Sequence, residues 1–190
     1  MLEKIIKRIL IIGGGIIGGS VLLVVILVAF YFALLSPLEL AKTTDRNFQE
    51  YLLSVELKER IHREVSELPY DLSPVDYSMH LTAELLEFSE KNDIENGLAN
   101  CVGYARLFTS ICNYALEVGG YEGRVKHVAG YVTWHGINLC DVATFVLPKE
   151  YKNFFKDHDF IELDYDDKYV YIDPSMYDLI CRNGYTEVNK

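Results

Sequence analysis

The chain has 190 residues, half of them hydrophobic, and a formal net charge of −10. This length suits one domain with an additional segment. The acidic balance argues against a protein that binds nucleic acid or anionic lipid headgroups. It permits a cationic substrate or partner, although most acidic surfaces only provide solubility.

The N-terminal segment predicts a membrane anchor. Residues 9–35 contain no charged side chain over 27 positions, and about 20 apolar residues suffice for a helix to cross a bilayer. The run exceeds the roughly 7–15 apolar residues of a cleavable signal peptide. Basic residues flank its start, and positive charge stays on the cytoplasmic side. We therefore expect a single-pass protein of the cell membrane. Residues 1–8 are cytoplasmic, residues 9–36 are a transmembrane signal anchor, and the remainder is periplasmic or extracellular.

The apolar segment contains the stretch GGGIIGGS at residues 13–20. Its glycines form two G-x-x-x-G pairs, Gly14 with Gly18 and Gly15 with Gly19. Such stripes let two helix backbones approach closely in lipid, although glycine is also frequent in membrane helices generally. We expect a helix–helix contact, either with a second copy of the chain or with another membrane protein.

Residues 37–98 are predicted to form a helical subdomain. Pro37 is a favourable helix start, and apolar residues then recur at spacings of three and four as far as Val65. The stretch PYDLSP predicts a turn, and residues 75–91 predict a shorter helix. The stretch NDIENGLAN contains turn-forming residues and predicts a loop.

A strong helix pattern begins at Asn100 and ends at Gly119-Gly120. The hydrophobic period then changes to two, which is typical of strands. Four strands are predicted, at residues 123–134, 135–148, 158–165 and 168–173. The last two flank Asp166-Asp167 and predict a hairpin. Helices followed by strands indicate an α+β fold with helices on one side of an antiparallel sheet.

Cys101 begins the strong helix, and its thiol is a core group, half of a disulfide or a nucleophile. A helix N-terminus favours the thiolate, Asn100 is a candidate N-cap, and the free N–H groups there can hold an oxyanion. Cys112 lies about 16 Å further along the helix, too far to bridge to Cys101, and is predicted to be core. A Cys140–Cys181 disulfide is an open alternative for an exported domain.

His158 opens one hairpin strand and Asp173 closes the other. If the turn is centred between residues 165 and 166, His158 faces Asp173. If the turn lies on residues 166–167, His158 faces Ser175. Both registers leave Asp173 within about 8 Å at Cβ, so its carboxylate can orient the imidazole as the base for a cysteine nucleophile. His135 is a rival base, but no Asp-Pro follows it at a strand-pair distance. No Cys/His spacing indicates a metal, and no cofactor is predicted.

Two segments together resemble the transglutaminase-like superfamily, within the papain-like group. NCVGYARLFTSICNYALEVGGYEGRVKHVAGYV is similar to that family's nucleophile helix and following strand. HDFIELDYDDKYVYIDPS is similar to its His strand and Asp strand. The resemblance covers about residues 95–178 and implies a catalytic triad of Cys101, His158 and Asp173. The chain departs from the family pattern at Phe160, where Trp is commonest.

The resemblance also implies a second oxyanion donor upstream of the cysteine, often Gln or an aromatic residue. No Gln lies nearby in this chain, and Asn96 is the nearest amide other than Asn100. Asn96 is therefore the candidate oxyanion donor.

The expected fold is an N-terminal transmembrane helix followed by a transglutaminase-like catalytic core at residues 99–190, whose nucleophile helix packs on an antiparallel sheet. The resemblance implies a membrane-anchored cysteine hydrolase or acyltransferase acting on an amide bond of a protein or peptide substrate. Hydrolysis of a peptide or isopeptide bond is favoured over crosslinking. One alternative is a non-catalytic binding or scaffold subunit of a membrane complex. Another is an α+β domain with a buried cysteine and no enzymatic activity.

Overall fold

The computed structural model of the chain describes residues 39–48, 50–69, 72–134, 136–146, 157–165, 168–180 and 185–187. Residues 38–190 form one compact unit. The α+β class and the antiparallel sheet are confirmed. The expected fold is wrong in its transmembrane helix, because no helix within the described ranges is long and apolar enough to cross a membrane. The segment predicted to hold that helix, residues 9–36 with Gly14, Gly15, Gly18 and Gly19, lies outside the described residues, as do residues 1–8.

The helices, numbered in chain order, are α1 (Val55–Ser66), α2 (Pro74–Leu85), α3 (Cys101–Gly119), α4 (Leu139–Val146) and α5 (Pro174–Ile180), with a short 3-10 turn at Ile94–Asn96. The strands are β1 (Glu39–Asp45), β2 (Glu87–Phe88), β3 (Leu98–Ala99), β4 (Gly123–Trp134), β5 (Ile137–Asn138), β6 (His158–Tyr165), β7 (Lys168–Ile172) and β8 (Tyr185–Glu187). The main sheet has the order β1-β4-β6-β7-β8, with β5 paired to β4, and its pairs are antiparallel.

Helix α3 is the centre of the core. One of its faces packs against α1 and α2 through a cluster that includes Ile61, Leu81 and Tyr104. Another face packs on the sheet, where Phe108 and Cys112 belong to one cluster with Val125, Ile161, Leu163 and Ile172. Because alternate strand residues point to opposite faces, Phe160 lies on the other side of the sheet. There it packs with Leu40, Val128 and Val132.

The predicted secondary structure is wrong at Glu87–Phe88, predicted to be helical and observed as β2, and in two longer segments. The segment Glu39–Asp45, predicted to be helical, is an antiparallel edge partner of β4. The run predicted as a strand at residues 135–148 contains α4 instead, whose first turn is capped by Asn138 through the N–H groups of Cys140 and Asp141. Both segments are short, and periodicity alone does not separate a short buried helix from a strand. Tertiary pairing and capping decide them.

Strand β1 has an irregularity between Lys42 and Thr44, next to Gly130 of β4. A β-carbon on Gly130 would lie 1.9 Å from the carbonyl oxygen of Ala41. The two backbones therefore approach closely at a position that excludes any side chain. Gly130 is also the partner of His158 in the β4–β6 register, so this close approach lies beside the candidate site.

Candidate active site

Cys101 is the first residue of α3, and the predicted N-cap is confirmed. Asn100 has an extended backbone, and its Oδ1 accepts hydrogen bonds from the N–H groups of Val102 at 3.1 Å and Gly103 at 3.4 Å. Cys101 is partly exposed, whereas Ala105, one turn further along, is fully buried. The thiol therefore lies at the open end of a helix whose body is fixed in the core.

The hairpin brings His158 and Asp173 together. Ile161 pairs with Ile172 and Tyr165 with Lys168, which is the second of the two predicted registers, the one that places Ser175 in line with His158. Asp173 is therefore diagonal to His158 and not directly opposite it. The Nε2 atom of His158 nevertheless lies 2.5 Å from Oδ2 of Asp173, because Asp173 follows the last residue of β7 and leads into α5.

Asp173 is held by the first turn of α5, the helix that follows it. The carboxylate is almost fully buried, and its Oδ1 accepts hydrogen bonds from the Ser175 hydroxyl at 2.7 Å and the Met176 N–H at 3.0 Å. Its two oxygens thus have separate partners, one in α5 and one in the imidazole. The Asp-Pro-Ser motif contains both Asp173 and Ser175, but only the structure shows that the serine hydroxyl positions the carboxylate.

His158 also contacts the thiol. Its side chain is hydrogen-bonded to Cys101 as well as to Asp173, and since Asp173 takes Nε2, the Nδ1 atom is left for the thiol. Burial lowers the pKa of His158, but the charge of Asp173 and the hydrogen bonds to Asp173 and Cys101 outweigh it and raise the pKa well above its usual value. An imidazolium beside a thiol favours the thiolate, which is the nucleophilic form of cysteine.

The structure gives the predicted oxyanion donor Asn96 a different contact. Its side chain is exposed, and its Nδ2 donates a hydrogen bond to Asp93 at 2.9 Å. Asn92, which the sequence did not single out, lies against the first turn of α3, since a β-carbon on Gly103 would fall 2.0 Å from its Oδ1. The Asn100 cap occupies the N–H groups of Val102 and Gly103, which leaves the backbone N–H of Cys101 for an oxyanion.

Sequence reasoning also missed a set of charged residues beside the base. Arg46, which follows β1, forms ion pairs with Asp157 and Asp159, the two neighbours of His158 in the chain. The alternation of acidic residues around His158 was the available signal. Their common partner is more than 100 residues away in sequence and was not predictable from it.

Cys112 and Cys140 are less exposed than Cys101. Cys112 is buried in the core as predicted, and burial raises the pKa of its thiol to about 12. Cys140 is a buried free thiol. Cys181, its predicted alternative partner, lies outside the described residues, as does the rival base His135. Within the described part of the chain, no three His, Cys, Asp or Glu side chains are grouped to hold a metal ion.

No model of a known protein family matches the chain, and neither a curated protein nor a solved structure is similar to it. The resemblance to the transglutaminase-like superfamily therefore depends on the quoted motifs, and it stays a prediction.

Proposed function

We propose that this domain is a cysteine hydrolase or acyltransferase of the transglutaminase-like kind, acting on an amide bond of a peptide or isopeptide. Cys101 is the nucleophile, His158 the acid–base group and Asp173 the residue that orients it. The observation that supports this most directly is the shared imidazole, which contacts Asp173 on one side at 2.5 Å and the Cys101 thiol on the other.

In the proposed first step, the Cys101 thiolate attacks the carbonyl carbon of the amide. A carbon–sulfur bond forms, and the carbonyl electron pair moves to the oxygen, which accepts a hydrogen bond from the N–H of Cys101. The imidazolium of His158 then donates its proton to the amide nitrogen. The carbon–nitrogen bond breaks, the amine leaves, and a thioester remains on Cys101.

In the second step, water or an amine attacks the thioester carbon, and His158 accepts the proton that the attacking group loses. The carbon–sulfur bond breaks, and the thiolate–imidazolium pair is restored. Water yields a hydrolysed product and an amine yields a transferred acyl group. The family resemblance favours water. The placement of the domain outside the cytoplasm stays a prediction from the sequence.

Alkylation of Cys101 by iodoacetamide, followed by mass spectrometry of the peptides, tests the proposal. We expect fast labelling at pH 7 in the wild type and at least about tenfold slower labelling in His158→Ala, since general-base assistance contributes roughly 10²–10⁴-fold. His62→Ala removes an exposed histidine of α1 and is the matched control. Equal labelling rates in the wild type and His158→Ala would exclude the triad.

The same variants separate catalysis from a non-catalytic binding role. A catalytic domain releases amine from a mixture of peptide and isopeptide substrates, and Cys101→Ala abolishes that release. If His158 activates Cys101 towards iodoacetamide but no amine is released from any substrate class, the binding or scaffold alternative is favoured.

A further inference from the structure

Arg46 connects the two residues that flank the proposed base. Its Nη2 lies 2.6 Å from Oδ2 of Asp157, and its Nε and Nη2 lie 3.0 and 3.3 Å from the two carboxylate oxygens of Asp159. Its backbone N–H also donates to the carbonyl of His127 at 3.0 Å. One guanidinium thus holds the chain immediately before and immediately after His158.

The Asp159 end of this contact is buried. The side chain of Asp159 is 3% exposed, against 27% for Arg46 and 44% for Asp157. Asp159 also bonds Nε2 of His127 at 2.8 Å. Burial raises the pKa of Asp159, but the hydrogen bonds and charges of His127 and Arg46 outweigh it and lower the pKa overall. The carboxylate therefore stays ionised and paired at neutral pH, as a buried charge requires.

The geometry of a strand makes this contact relevant to His158. Successive strand side chains point to opposite faces. Since Asp157 and Asp159 both contact Arg46, the side chain of His158 leaves the strand on the opposite face, where its ring lies 6.5 Å from that of Phe160 between centroids. Because His158 is the first residue of β6, it reaches Asp173 and Cys101 from the end of the strand. Arg46 therefore opposes rotation of the strand about its own axis at the position of the imidazole. The planar fork of Arg suits this role, because it binds carboxylates through several N–H groups in fixed directions.

We propose that Arg46 is a positioning residue, which sets the orientation of His158 towards Cys101 and Asp173 through its ion pairs with Asp157 and Asp159. This inference rests on the proposed function. Arg46 touches neither the thiol nor the imidazole, so it acts only through the backbone of β6. Arg46→Gln is expected to turn the imidazole away from the thiol while the α3 core stays intact.

The test is the rate of Cys101 alkylation at pH 7, together with the pKa of His158 measured by NMR in the full chain. A displacement of about 1 Å can cost on the order of 100-fold in rate, and we expect Arg46→Gln to slow alkylation about 10–100-fold. The pKa of His158 is expected to fall towards 6.5 as its contacts lengthen. Loss of a cation beside two carboxylates would by charge alone raise that pKa, so a fall reports misplacement.

Arg60→Gln is the matched control. Arg60 also contacts two carboxylates, those of Glu64 and Glu84, through its Nε and both terminal nitrogens, but it links α1 to α2 away from the hairpin. We expect this variant to change the alkylation rate less than twofold. A folded Arg46→Gln with an unchanged alkylation rate, or with a raised pKa of His158, overturns the positioning role.

One further variant keeps the outcomes distinct. If Arg46→Gln does not fold, Asp157→Asn decides, because it removes the more exposed ion pair and keeps the buried one. It is expected to slow alkylation by less than Arg46→Gln does, and an unchanged rate overturns the proposal. Failure of the proposed function would appear separately, as equal alkylation rates of Cys101 in the wild type and in His158→Ala.

Discussion

The Nε2 atom of His158 lies 2.5 Å from Oδ2 of Asp173, although the two residues are diagonal and not opposite in the β6–β7 register. The contact depends on the end of β7, where Asp173 follows the strand and immediately precedes α5. The remaining oxygen of Asp173 is bound by Ser175 and Met176 of that helix. The orientation of the imidazole is thus coupled to the start of a helix.

Asp173→Asn is expected to lower the pKa of His158 towards 6.5, because the charge of Asp173 is the largest contribution that raises it. An amide can also favour the wrong tautomer of the ring. We expect Cys101 alkylation at pH 7 to slow by at least about tenfold. NMR titration and alkylation kinetics measure the two effects. Asp164→Asn, at an exposed position of β6, is the control, and similar behaviour of both variants would contradict the assigned role.

Ser175→Ala removes one of two donors to Oδ1 of Asp173 and leaves the Met176 N–H in place. Loss of a buried hydrogen bond costs roughly 1–3 kcal/mol in the free energy of unfolding. We expect a loss in that range by urea denaturation and a smaller fall in the pKa of His158 than in Asp173→Asn. Ser66→Ala removes an exposed hydroxyl that bonds the Arg63 carbonyl. A Ser175→Ala variant as stable as Ser66→Ala would show that the hydroxyl does not hold the carboxylate.

The raised pKa of His158 predicts a pH dependence of stability. The charged imidazole is favoured in the folded state, so its stabilisation is complete below the unfolded pKa of about 6.5 and is lost as pH rises through the higher folded pKa. In a Cys101→Ala background, which removes the thiol and leaves Asp173 to raise the pKa, the stability difference between His158 and His158→Gln should shrink as pH rises from 6 to 9. Urea unfolding at several pH values measures this difference, and a difference that grows with pH would contradict the sign.

Gly130→Ala is expected to destabilise the domain, because the added methyl group would lie 1.9 Å from the Ala41 carbonyl oxygen and must displace β1. Overpacking of this kind costs about 1–3 kcal/mol, measured by urea unfolding. Gly119→Ala is the comparison, since a β-carbon there meets the exposed side chain of Tyr121, which can move. Equal stability of the two variants would show that β1 accommodates the methyl group.

Local patterns predicted the parts of the site that are themselves local. The start of α3 at Cys101, the Asn100 cap and the glycine that ends the helix all follow from short-range rules. The hairpin of β6 and β7 follows from two period-two runs around a turn. Residues 39–45 and 139–146 are too short and mixed for periodicity to decide, and pairing with β4 and capping by Asn138 decided them.

By itself, the sequence determined an α+β domain with a cysteine at a helix start and a histidine and an aspartate on one hairpin, because each depends on neighbours a few residues apart. The tertiary structure decided that the imidazole of His158 meets the thiol at the start of α3, and which cation holds the chain on both sides of His158. These depend on contacts of His158 with Cys101 and of Arg46 with Asp157 and Asp159. Such contacts join residues far apart in the chain, and no local periodicity encodes them.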